Sequence, residues 1–440
     1  MRARPILTAA FLLSALTLSS AASSKPAAES PYDVLAQMAR VLVLVEHEYV
    51  DPVERRRLAE GAIKGMVAEL DPHSAYMPPE DYAIFQADTD GRFGGIGVEV
   101  DFGDDGIKVI APIEGSPAER AGVKSGDRIV AIDNQSVRGK SPEELVRWMR
   151  GGPGTKVTIS VRRQGKSELI YFKLTREIIE VSSVTETLMD GEIGYLRLKQ
   201  FQTGTHGELL EAVARLRAEN GGPLAGVLLD MRNNPGGLVS EATAVADEML
   251  DAGVVFTTRH RKRVVDEVKA TRGGALRRGP LVVLVNEYSA SAAELVAGAL
   301  QDQRRATIVG AKTFGKGSVQ TIIDLPGGAG MRLTSMRYYT PKGRAIQAQG
   351  IEPDVQVEAG VLPDKSFGVV RESDLENHLP AEGKARPSTA TPPSPSDTDA
   401  QSPADTHLGV GREIPKNPTL GADVALSVAY QIVTGVMGRR

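Results

Sequence analysis

Two short, almost wholly apolar runs most constrain what this chain can become: Gly226-Val227-Leu228-Leu229-Asp230-Met231 and Leu281-Val282-Val283-Leu284-Val285. Each has the length of a buried strand, and each leads through a turn into a helical segment. The first is followed by a helix expected over Glu241–Leu250, the second by one reaching Leu300. Ahead of them, Ile193–Leu198 reads as a strand and Gly207–Glu219 as a helix. Strands alternating with helices predict an α/β layer architecture.

The preceding stretch has a different texture. From about Gly91, short strands alternate with turns: Val98-Glu99-Val100, Ile107–Ile110, Asp127–Ile132, Lys156–Val161 and Leu169–Phe172. Ser116-Pro117-Ala118-Glu119 and Ser141-Pro142-Glu143-Glu144 each place a serine cap, a proline at the first helical position and a glutamate three residues after the cap. The expectation is a small strand-rich domain of ordinary size with two short helices. Earlier still, Val34, Met38, Val41 and Val45 and then Ala62, Met66 and Leu70 repeat at helical spacing on either side of Asp51-Pro52. Two helices joined by a turn suggest packing or self-association.

At 440 residues, two or three domains are expected. A net charge of -4 argues against a nucleic-acid binder. The absence of cysteine removes disulfide frameworks, thiolate chemistry and cysteine zinc sites together. The six histidines show no metal-ligand spacing, and neither a metal nor a cofactor is expected. Arg2 and Arg4 before the apolar run Ile6–Leu18, with Ser20-Ala21-Ala22 after it, read as an export signal over residues 1–22. The alternative is an uncleaved segment associating the protein with the membrane, although the run is short for a spanning helix. The protein is expected to work in the periplasm or otherwise outside the cytoplasm. Pro, Ser, Thr, Ala and Asp dominate residues 380–418, which read as a linker, and one further helix is expected within 419–440.

The chemistry concentrates in Asn286–Glu294 and in Phe314-Gly315-Lys316-Gly317-Ser318-Val319-Gln320. A serine at a strand-to-helix turn sits where free backbone N–H groups favour developing negative charge. A lysine can serve as its base if burial or a nearby cation depresses its pKa. The residues alone do not separate Ser289 from Ser291, and either serine could simply cap the helix. Lys316 could equally be an exposed lysine in a glycine turn. A phosphate loop is excluded at Gly310–Lys316, because Gly317 replaces the magnesium-binding hydroxyl and a strand-like run replaces the helix. Asp230–Gly237 ends a strand in a glycine-rich turn, a nest of N–H groups suited to half an oxyanion hole or an ordinary turn. Gly94, Gly95, Ile96 and Gly97 before a strand could capture a terminal carboxylate, with Val98, Leu145 and Met149 as candidates for an apolar pocket.

Together these segments closely resemble the carboxy-terminal processing (tail-specific) serine proteases. The matching runs are Leu70-Asp71-Pro72-His73-Ser74, Phe93–Gly97, Arg232–Gly237, Ser289–Glu294, Thr313–Gln320, Thr340–Gly343 and Gly350–Asp354, in family order. The resemblance implies a PDZ domain over 91–176 inserted before a crotonase-like protease core over 177–360. A helical segment over 31–80 precedes them, with 81–90 as connection. It implies that Ser291 is the nucleophile, Lys316 the general base and Gln320 the residue orienting the amine. The N–H groups of Gly236 and Ala292 would form the oxyanion hole. Substrates would be proteins with free apolar C-termini, and the family leaves room for an adaptor or activator protein and for a homo-oligomer. The competing reading is a PDZ scaffold that binds tails without cleaving them.

Overall fold

The computed structural model describes residues 30–103, 106–261, 263–357, 370–382 and 414–435. The expected export signal lies outside the described residues, as does most of the expected linker. The chain divides into residues 1–62 and residues 63–440.

In the first unit, helix α1 (Pro31–Glu48) begins at Ser30, whose hydroxyl accepts from the Tyr32 N–H at 3.3 Å. Its apolar repeat is uncovered: Met38 is 38% exposed and Val41 53%. Helix α2 (Arg55–Ala68) follows the expected break at Asp51-Pro52 and crosses the division between the units.

The second unit opens with β1 (Ala75–Met77) and α3 (Pro79–Thr89), so the expected connection over 81–90 is a helix. The strand β2 (Arg92–Gly95) then enters the small domain and β9 (Glu177–Glu180) leaves it, the two pairing as an antiparallel ribbon. Between them β3 (Val98–Gly103), β4 (Gly106–Pro112), β5 (Arg128–Ile132), β7 (Lys156–Arg162) and β8 (Ile170–Thr175) form one sheet in that order. The short β6 (Gln135–Ser136) pairs with β5. Both capping serines behave as read: Ser116 accepts from Glu119 N–H to start α4 (Pro117–Arg120), and Ser141 accepts from Glu144 N–H to start α5 (Pro142–Met149). Ile107, Val109, Ile129, Ile159 and Val161 form a dry centre.

The larger domain is built on β10 (Val184–Met189), β11 (Ile193–Leu198), β12 (Gly226–Asp230), β15 (Leu281–Val285), β16 (Thr307–Gly310) and β19 (Val355–Gln356), ordered β10-β11-β12-β15-β16-β19. All neighbours run parallel except β10 against β11. Side chains alternate across a strand, and here both faces are covered. Leu229, Val283 and Val285 pack with α6 (Thr205–Asn220), α7 (Val239–Asp247) and α8 (Ala292–Asp302). Leu228, Val282, Leu284 and Val309 pack with Leu426, Ala429 and Val433 of α9 (Val424–Val433). Burial on both faces is why these strands read as continuous apolar runs.

A second sheet, antiparallel and ordered β1-β18-β13-β14, carries β17 on β18. Its members are β13 (Val254–His260), β14 (Arg263–Lys269), β17 (Ser318–Asp324) and β18 (Gly330–Tyr339). Among the described residues, no helix is long and apolar enough to cross a membrane.

Candidate active site

Strands β12 and β15 are parallel neighbours, so the turns at their carboxyl ends lie side by side, the usual place for a site in such sheets. The turns are stitched together. Asn233 N–H donates to Asn286 Oδ1 (2.8 Å), Asn286 Nδ2 donates to Asn233 Oδ1 (2.7 Å), and Ala290 N–H donates to Asn234 O (2.9 Å). Ser289 is part of the stitching. It is fully buried, its hydroxyl donates to Met231 O at 2.8 Å, and it accepts from Asn286 N–H at 2.9 Å.

Ser291 is different. It is half-buried at the N-terminal boundary of α8, with φ +54° and ψ −115°. That backbone is unusual for a non-glycine residue and persists only where surroundings over-determine it. Gly236 presses against it: a β-carbon on Gly236 would lie 2.8 Å from Ser291 Cβ and 3.0 Å from Ala292 N. Ala292 N–H opens α8 and has no intrahelical acceptor. Gly236 N–H, expected to face an oxyanion, instead donates to Asn234 Oδ1 at 2.9 Å.

Glu294, which sequence reading left without a role, joins the serine turn to the lysine loop. Its Oε2 accepts from Ser291 N–H (2.8 Å) and Lys316 N–H (2.8 Å); its Oε1 accepts from Gly315 N–H (2.7 Å) and Thr313 Oγ1 (2.5 Å). One carboxylate therefore holds both backbones. Burial pushes its pKa up to about 7, against the pull of those four bonds.

Lys316 is half-buried and closely surrounded by protein. Desolvation, aided by the Arg332 guanidinium, brings its pKa down to about 8, while Glu372, Asp71 and Glu294 pull it upward. Its ammonium makes no hydrogen bond or ion pair with any described residue, and none joins Ser291 Oγ to Lys316 Nζ. The neighbouring groups are themselves paired. Glu372, fully buried, accepts from Gln347 Nε2 at 2.7 Å and meets His73 Nε2 at 2.7 Å. Arg371 donates to the carbonyl of Thr313 at 2.9 Å, so the segment 370–382 braces the lysine loop from outside. Neither residue carried a readable signal, since both lie in a polar stretch after the last motif.

Gln320 lies on β17 opposite Thr334, next to a register shift between Val319 and Gln320. Its Nε2 donates to Thr334 Oγ1 at 2.7 Å, and its Oε1 is shielded from solvent with no partner among the described residues.

The residues read as a tail-binding site belong to the other sheet. Gly95, Ile96 and Gly97 are buried and lead into β3, an edge strand of the small domain's sheet whose second side pairs with no strand among the described residues. Gly97 has φ +72°, and a β-carbon there would meet Ser116 Cβ at 2.2 Å. Leu145 and Met149 lie within the core of the small domain, 4% and 6% exposed, with Val98 packed against that core. Among the described residues no three His, Cys, Asp or Glu side chains are grouped to hold a metal ion.

Comparison with known proteins places these features in context. Residues 192–357 match the model of peptidase family S41, residues 108–163 that of the PDZ domain, and residues 11–81 that of the activating protease CtpB N-terminal domain. A carboxy-terminal-processing protease of Bartonella bacilliformis is 40% identical over 412 residues, covering 92% of this chain and 90% of its own. A Staphylococcus aureus protein described as "Probable CtpA-like serine protease" is 38% identical over 346 residues, covering 76% of this chain and 68% of its own. Among solved structures, a photosystem II D1 C-terminal processing protease is 32% identical, covers 76% of this chain and 88% of its own, and has a TM-score of 0.48.

Proposed function

The chain belongs to the carboxy-terminal-processing proteases, with a family S41 core and a PDZ domain, and on that footing we propose that Ser291 and Lys316 are its catalytic pair. The observation that carries this reading is the Glu294 carboxylate, whose one oxygen binds the backbone N–H of both residues. Neutral Lys316 takes the proton from Ser291 Oγ, and the oxygen attacks the scissile carbonyl. The ammonium then protonates the leaving amine, and the regenerated amine activates water to release the acyl group. Gln320 orients the amine. The oxyanion is held by Ala292 N–H, and by Gly236 N–H once Asn234 Oδ1 has released it. The core is of the crotonase-like type.

Neutral lysine is the active form, so kcat/KM should rise as pH passes through about 8 and level off above it. A pH–rate profile on a peptide substrate tests this; an acid limb near the ordinary lysine value of 10.5 would sink it.

The substrate is a protein whose free, apolar C-terminus adds to the open edge of β3, its carboxylate in the Gly95–Gly97 loop. Export places the enzyme outside the cytoplasm, and the uncovered repeat of α1 serves self-association. An unfolded reporter with an apolar tail should be cleaved, and amidating that tail should slow cleavage at least tenfold. Equal rates on both tails would remove tail recognition from the reading. Binding without cleavage would point to a scaffold or to a missing activator.

A further inference from the structure

The run Asp71-Pro72-His73-Ser74 so far enters only through the charge of Asp71 on Lys316 and the contact of His73 with Glu372, yet its carboxylate is buried and densely bonded. Asp71 Oδ1 accepts from His73 N–H (2.9 Å), Ser74 N–H (2.9 Å) and Thr334 Oγ1 (3.0 Å), and Oδ2 accepts from Ser74 Oγ (2.8 Å). Ser74 Oγ also accepts from Thr334 N–H at 3.1 Å. This turn therefore grips Thr334 of β18 through both backbone and side chain, and its His73 carbonyl also accepts from Arg332 Nε at 2.8 Å.

Hydrogen-bond polarity follows from this. A carboxylate accepts and a threonine hydroxyl has one hydrogen to give. With that hydrogen directed at Asp71, Thr334 Oγ1 can only accept from its other neighbour, which is Gln320 Nε2 at 2.7 Å. The amide is thereby fixed in one of its two orientations, independently of how its atoms were assigned. Oε1, on the other side of the amide, is a shielded acceptor without a donor among the described residues. The break in register beside Gln320 allows the strand to turn that side chain out of the regular pleat.

We propose that Asp71 and Thr334 are positioning residues that hold Gln320 Oε1 as the acceptor for the Lys316 ammonium formed during catalysis. This rests on Lys316 being the base. An acceptor waiting at Nζ favours the charged lysine, and so promotes the proton transfer that creates it. The other charged groups acting on Lys316 are Arg332 on β18, Glu294 on α8, and Glu372, itself paired with His73. A change at Thr334 alters none of those charges.

The test is the kcat/KM profile against pH for Thr334→Val, which removes the hydroxyl and keeps the shape, beside Thr334→Ser. Melting temperature and tail binding would be measured in parallel. Thr334→Val should lower kcat at least tenfold with little change in KM. It should also move the acid limb to lower pH, because the ammonium loses its acceptor. Thr334→Ser should restore both. If the valine variant does not fold, Thr334→Ala removes the same hydroxyl with less bulk. Wild-type kcat with an unmoved limb in a folded hydroxyl-less variant would overturn the proposal, as would equal losses in Val and Ser. In a Gln320→Leu background Thr334→Val should add no further loss; additive losses would also overturn it. Full activity of Lys316→Ala would instead defeat the reading of the base, an outcome separable from these.

Discussion

Ser291→Ala and Lys316→Ala should each abolish cleavage of a tailed reporter while leaving tail binding intact. In serine hydrolases, removing nucleophile or base alone costs kcat about 10⁶-fold, nearly as much as removing the whole set. A loss of at least about 10⁴-fold is expected here for each. The double variant should be no worse than either single one, because two halves of one proton transfer cannot fail independently. Folding should survive Ser291→Ala, since alanine meets the same strained backbone at φ +54° that serine already accepts. Reporter cleavage measured beside fluorescence anisotropy of a tail peptide separates chemistry from binding. A Lys316→Ala enzyme within tenfold of wild type would require another base.

Gly236→Ala should do smaller but still large damage, by shape alone. Its φ of +102° is a conformation that a side chain strains, and the added carbon would sit 2.8 Å from Ser291 Cβ and 2.9 Å from the Ala290 carbonyl oxygen. Those neighbours belong to the serine turn, so relief must come from moving the serine. A misplacement of about 1 Å can cost about 10²-fold in rate. The expected result is a kcat at least about 10²-fold down, with the PDZ domain still binding tails. Gly115→Ala is the control, having φ +71° but nothing within 4 Å of the new carbon. It should lower stability by about 1 kcal/mol and leave kcat unchanged. Equal kcat for the two variants would mean that Gly236 does not shape the serine turn.

Local signals were the legible ones. The two apolar runs declared their burial because both faces of the sheet are covered, and Ser116 and Ser141 declared their helices because a cap is a contact between near neighbours. The helix expected over Glu241–Leu250 runs Val239–Asp247, a shift within ordinary uncertainty at helix ends. Strand β14 left little trace, because it is nearly all exposed and its residues alternate weakly. What could not be read was tertiary. Ser289 and Ser291 differ in what their turn brings them to: Ser289 Oγ reaches the Met231 carbonyl, whereas Ser291 is held through its N–H by Glu294. The Asn234 side chain occupying Gly236 N–H follows from turn geometry that composition does not encode. Leu145 and Met149 have the apolar character of pocket residues, yet helical spacing cannot say whether they face a groove or the core.

Helix α9 bears on the order in which the molecule can be completed. Asp423, which caps it by accepting from Leu426 N–H, also receives Arg232 Nη1 at 2.8 Å. Arg232 in turn is bound to Asp230, the buried carboxylate at the head of the turn that holds Gly236. A ribosome delivers the chain from its amino end, so Ser291 and Lys316 emerge more than a hundred residues before the helix that seals the far side of their sheet. Until then Leu228, Val282, Leu284 and Val309 lack the cover of Leu426, Ala429 and Val433, and Arg232 lacks one of its two anions. A chain cut short before α9 would therefore carry Ser291 and Lys316 on a sheet lacking that helix and on a turn held by one carboxylate fewer.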